Sequence, residues 1–299
     1  MILAALQTGE VGWAGVAVAL RAATYAGQFT AAGLAFFALL FGARQTPADS
    51  ARQARWAAGA AGIGVIAGFG TLAAHVGVLT GGATLLDREA WHVVLASRAG
   101  AAFALSAAGL GLVAAWALRP GWTVPAALGG VLVCASYTLV GHTTQIQPRG
   151  LPAGLLLLHL LGIAFWIGSL APLAFAVRRH GPEAAPLVEH WTRLATGAVP
   201  VLIAAGGLLA WWTLGGVRGL FASPYGWALL AKLALVAVLL GFATWHRWRL
   251  TPALAAGRPG AGRRLARSIA LEAVVACLVL YAAAELVSKS PGGPPHGMG

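Results

Sequence analysis

The stretch LLLLHLLGIAFWIGSLAPLAF, Leu155 to Phe175, holds no Asp, Glu, Lys or Arg. A helix of about 20 apolar residues crosses the hydrocarbon core of a bilayer, so this segment is long enough to span one. Comparable runs recur along the whole 299-residue chain, which is 59% hydrophobic and only 9% charged. A soluble domain carries roughly a quarter charged residues. The period-two alternation of a membrane barrel is absent. The chain therefore reads as an all-α, polytopic integral membrane protein with about eight transmembrane helices in one bundle.

The spans are expected over about Ala19–Phe41, Trp56–Thr80, Arg98–Leu118, Trp122–Thr144, Ala153–Val177, Leu194–Leu214, Trp227–Trp248 and Ser268–Val287. Residues 1–18 read as an interfacial lead-in, 19–288 as the membrane domain and 289–299, rich in Pro and Gly, as a flexible tail. The N-terminus has no basic n-region, since the first Arg is Arg21, and so carries no sign of a cleaved signal peptide. Span two is dense in Gly59, Gly62, Gly64 and Gly68, small residues that let helices approach closely.

The formal charge of +12 invites a nucleic-acid reading. The basic residues instead fall in short connections, where topology accounts for them, and no nucleic-acid partner is expected. The loops after spans one, three, five and seven hold thirteen of the twenty Lys and Arg. The positive-inside rule makes those loops cytoplasmic and puts both termini outside. Cys134 and Cys277 fall mid-span and form no Cys-x-x-Cys pair, so no disulfide framework is implied.

An ionisable side chain at membrane depth marks a functional position by default. With the topology above, His75, His142 and His159 all lie within roughly 12 Å of the outer boundary at about 1.5 Å per residue. Spans four and five share a short turn and read as antiparallel neighbours. Three imidazoles at one depth could form a metal site in a helix bundle. A buried His can also be a core residue bonded to a carbonyl or threonine, and Thr71 and Thr138 stand four residues before His75 and His142. His92 lies on the outer connection, as a surface residue or a cap to the site. Trp166, two turns from His159, walls the site or packs as an ordinary aromatic. Arg98, Lys232 and Glu285 lie near the outer face, where they could set its field. Glu272 reads as an ion pair with Arg193 or Arg267. His180, His190 and His246 read as cytoplasmic loop or interface residues, and the two cysteines as buried thiols or a soft relay for Cu(I).

Several of these residues fall in a familiar order. Gly141-His142 ends one span, and His159, Trp166 and Gly168 follow in the next. RLATGAVPVLIAAGG, YGWALLAKLALV with Tyr225, Gly226 and Lys232, and LEAVVACLVLYAAAEL with Glu272 come after. This order resembles the CopD copper-resistance family, clearest over residues 135–290. The resemblance implies a bacterial inner-membrane protein that moves copper or passes it on, with small periplasmic CopC-like copper-binding proteins as partners. It carries over to His142 and His159; His75 comes from depth alone. The two methionines, Met1 and Met298, are terminal, so a copper path must rely on His and Cys.

Imidazole pairs also bind haem iron. The second expectation is therefore a membrane b-type haem protein, with two of His75, His142 and His159 as axial ligands and quinone or a periplasmic partner as electron exchanger. It would be an enzyme only in that redox sense. No phosphate-binding loop and no nucleophile–base signature is present.

Overall fold

The structure is a computed structural model and describes residues 9–289 except 142, 143, 145 and 147. The described residues are helical, without strands. Eight helices of 14 residues or more form the body: α1 Gly9–Phe41, α2 Pro47–Leu79, α3 Arg98–Ala115, α4 Thr123–Ser136, α5 Gly150–His180, α6 Ala185–Leu214, α7 Pro224–Trp245 and α8 Ala261–Val287. Six helical stretches are long and apolar enough to cross a membrane, and one of these, Gly150–Leu214, contains both α5 and α6. Thr123–Leu139, which contains α4, is a shorter apolar helix. The chain is a multi-pass helical membrane protein.

Local chemistry sets the helix ends. Thr46 accepts from Asp49 N with Pro47 in the first turn of α2, and Ser97 and Ser223 cap α3 and α7 in the same way. Some expected boundaries move. Helix α1 starts at Gly9, so residues 9–18 continue into the expected first span without a break. Helix α6 begins at Ala185 rather than Leu194, because the polar stretch after α5 is itself helical and only the turn Gly181–Ala184 separates the two. The connection between α2 and α3 contains a short helix, Arg88–Ala96, capped by Asp87. Helical structure after α4 stops at Leu139 rather than Thr144, since Val140 is extended and Gly141 takes φ 87°. The tail from Ser290 onward lies outside the described residues.

Helix α1 is the hub of the bundle. Phe29, Ala31, Ala32, Leu34, Ala35, Phe37 and Phe41 are all at most 2% exposed. On one face, Gly27 meets the backbone of Ala60 and Gly64 on α2. On another, Gly33 meets the backbone of Ala164 and Gly168 on α5, leaving no room for a Cβ on either glycine.

Cross-helix contacts give the directions. Leu20 and Gly27 of α1 face Gly70 and Gly64 of α2, an antiparallel register. Helices α5 and α6 are antiparallel too, with Trp191 beside Trp166 and Leu202 beside His159. So are α7 and α8, with His246 beside Ser268 and Tyr225 in one cluster with Leu286. One end gathers the arginine-rich connections. There His180 reaches Asp49 at 3.1 Å, Arg52 stacks on the Phe175 ring, and Arg247 donates to Thr196 Oγ1.

Candidate functional site

His159 lies between α5 and α6 and is partly buried. Its Nδ1 is 2.9 Å from the Leu202 carbonyl oxygen. A carbonyl only accepts, so Nδ1 carries the hydrogen and Nε2 keeps its lone pair in the neutral ring. No partner for Nε2 stands among the described residues. The ring sits over Gly206, where a Cβ would approach Cε1 to 2.6 Å and Nδ1 to 2.9 Å. A carbonyl on one nitrogen and an open second nitrogen is the arrangement that orients imidazole as a metal ligand. Lys232 of α7 is within electrostatic reach of His159 and has no carboxylate partner among the described residues.

His75 occupies different surroundings. It sits on α2 within electrostatic reach of Arg21, which donates to the Ala284 carbonyl and to Ser288 Oγ on α8. On α1, Arg21 lies two turns, about 12 Å, from Phe29. Phe29 shares an apolar cluster with Leu160, the neighbour of His159. His75 and His159 therefore stand on helices that pack on different faces of α1. His142 lies outside the described residues. No group of three or more His, Cys, Asp and Glu suited to a metal ion occurs among the described residues. His92 is exposed on its short helix, and Arg98 is exposed in the first turn of α3. Glu285 pairs with Lys289 at 3.4 Å, four residues on and just past the end of α8.

The structure places a second polar cluster that the sequence did not foretell. Trp166 and Glu272 are not at the His159 level but in the core toward the arginine-rich end. Trp166 Nε1 donates to Glu272 Oε1 at 2.7 Å. Glu272 is 1% exposed, and its other oxygen faces His246 Nδ1 at 3.4 Å. His246 Nε2 is 2.8 Å from Ser268 Oγ. The expected pairing of Glu272 with Arg193 or Arg267 is not made. Both arginines are exposed, and Arg193 turns to His190, because α8 points its Glu272 face inward at α5 and α7. His246 is buried where the chain leaves α7 in one π turn, His246–Leu250, so it belongs to the core and not to the loop. The signal that could have found it is the spacing of Ser268 and Glu272, one turn apart on one helix face. The cysteines separate as well: Cys134 is buried and Cys277 exposed.

Together these features define a multi-pass α-helical membrane protein with imidazole and carboxylate groups enclosed between its helices. Residues 10–147 match the family described as copper resistance protein D-like, N-terminal domain, and residues 185–286 match copper resistance protein D. A Pseudomonas syringae pv. tomato protein named copper resistance protein D is 33% identical over 178 residues, 55% of this chain and 57% of that protein. The chain thus spans a little over half the length of that curated relative. No solved structure matches it. The chain belongs to the copper resistance protein D (CopD) family. Residues 10–134, ahead of the stretch where the motif order is clearest, fall within the N-terminal match. His159 and Trp166 lie between the two matched ranges, and Lys232, His246 and Glu272 lie within the second.

Proposed function

We propose that the protein moves copper across the bacterial inner membrane, or delivers it there, with His159 as an imidazole donor inside the bundle. The observation that carries this is the His159 ring itself, whose Nδ1–H is committed to the Leu202 carbonyl while Nε2 is left for a ligand. Family membership supplies copper as the cargo. With no methionine between Met1 and Met298, imidazoles are the donors left along the path besides Cys134 and Cys277.

His142, eight residues before α5, is the second donor near the outer entrance. His75 is a further imidazole on the other side of α1, a separate step rather than a third ligand of one centre. A small CopC-like periplasmic copper-binding protein loads the entrance. The excess of arginine at the opposite end supports an entrance on the outer side under the positive-inside rule.

The test uses cells and purified protein together. His159→Ala is expected to fold, to lose stoichiometric copper and to abolish the copper phenotype of cells expressing it. His142→Ala is expected to weaken binding. A folded His142→Ala/His159→Ala double variant with unchanged copper content and unchanged cellular copper would sink the proposal.

A further inference from the structure

The chain Ser268, His246, Glu272 and Trp166 has no role in holding copper at His159, yet it places an imidazole and a carboxylate inside a membrane bundle. Groups at such depth are retained for use, and proton relays in transporters are built from Asp, Glu and His. We propose that Ser268–His246–Glu272 is a proton-binding relay, reaching from the arginine-rich end of the bundle to its interior.

The geometry carries the step. Glu272 is fully buried, and its Oε1 is occupied by the Trp166 indole N–H, which leaves Oε2 as the one oxygen facing a titratable neighbour, His246 Nδ1. On the far side of the ring, Nε2 contacts the hydroxyl of Ser268, which is only partly buried. Ser268 and Glu272 are one turn apart, so the chain runs inward by about 6 Å along α8. In the resting form Nδ1–H points at the carboxylate and Nε2 accepts from the serine hydroxyl. A proton arriving from water at Ser268 binds Nε2 while the Nδ1 proton passes to Glu272 Oε2. The carboxylate becomes a neutral acid, and no other bond changes.

Among the described residues no arginine pairs with Glu272 or His246. On α6, Arg193 is exposed and bonded to His190. On the turn after α7, Arg247 is held by Thr196 and Arg249 is exposed. On α8, Arg264 and Arg267 are exposed. From α5 the site meets Trp166, whose backbone carbonyl accepts from Ser169 Oγ, and the apolar rings of Phe37 and Phe41 of α1 belong to the same core cluster as Trp166. Next to it, Trp191 Nε1, edge-on to Trp166, and Thr251 Oγ1 are buried polar atoms without a partner among the described residues. Buried polar groups of this kind are ordinarily satisfied by water.

The relay joins α5, α7 and α8, and α5 carries His159 two turns from Trp166. A proton on Glu272 thus alters the helix that holds the copper donor. That consequence rests on the copper reading; the proton site does not.

The first arm is pH-difference infrared spectroscopy on the full chain in liposomes without copper. A protonated-carboxyl band that grows as pH falls is expected, lost in Glu272→Gln and kept in Glu285→Gln. Ser268→Ala, which leaves both titratable groups in place, is expected to keep the band and slow its appearance after a pH jump. The second arm measures copper flux under an imposed pH gradient. Wild type is expected to respond to the gradient and Glu272→Gln to lose that response while binding copper. A wild-type spectrum with no band that depends on Glu272 would overturn the relay. Copper flux indifferent to the gradient would overturn the coupling. A persistent band with no bound copper would instead refute the copper reading and leave the proton site standing.

Discussion

Replacing Gly206 by alanine isolates the orientation of His159 from its presence. The new Cβ would lie 2.6 Å from Cε1 and 2.9 Å from Nδ1, where ordinary contact begins at 3.4 Å. The ring must retreat from α6 by about 0.8 Å. The Leu202 carbonyl is also on α6, so the retreat stretches the 2.9 Å bond beyond useful hydrogen-bond length. Loss of such a bond is worth about 1 kcal/mol in stability, close to the ~1 kcal/mol that alanine gains over glycine in a helix. The fold should therefore survive. Ligation should not survive as well, because removing the group that fixes a ligand's second nitrogen lowers metal affinity by roughly 10- to 100-fold. Gly207, one residue on with nothing within 4 Å of its would-be Cβ, provides the control. Calorimetric copper titration of both variants, with helical content followed by circular dichroism, decides the matter. Gly206→Ala with wild-type affinity, in a protein where His159→Ala binds nothing, would refute the claim that the carbonyl prepares the ring.

Other perturbations have equally definite outcomes. Trp166→Phe keeps the aromatic packing against Trp191 but removes the donor to Glu272, and should lower stability by about 2 kcal/mol, read as a fall in thermal midpoint. Gly33→Val or Gly168→Val drives a side chain into the backbone of the facing helix and should abolish folded yield, whereas Gly59→Val meets open space and should not. Lys232→Met removes a cation near His159 and should tighten copper binding by roughly tenfold. A water-soluble maleimide should label neither cysteine in the folded protein in liposomes, since Cys134 is buried and Cys277 sits mid-span on the outward-facing side of its helix, where lipid keeps it a thiol. It should label both after denaturation, as read by mass spectrometry.

The helices, and that they suit a membrane, were legible because bilayer length and hydropathy bear on every residue of a span. The ends were less so. The stretch before Leu194 looks like a loop because it is polar, yet helix α6 extends through it from Ala185, past the point where the sequence turns apolar. The central place of α1 was written in its small residues, Gly27, Ala31, Ala32 and Gly33, but span two is richer in glycine and so has the stronger close-packing signature in sequence. His159 stood out by being alone in an apolar run. Its partners, Leu202 and Gly206, were hidden, since a backbone carbonyl has no residue type and a glycine has no side chain. Glu272 was visible as a charge in a span, and the arginines expected at its depth, Arg193 and Arg267, suggested ion pairs. Its real partners lie 106 and 26 residues away, which only the packing of α5, α7 and α8 brings together.

The most direct measurement is an absorption spectrum of the purified protein, oxidised and dithionite-reduced, with copper and iron quantified on the same sample for wild type and His159→Ala. The expected wild-type protein shows no Soret band and holds about one copper, and the folded variant has lost that copper. Stoichiometric iron with a Soret band, or copper retained in full by the variant, would contradict the copper reading.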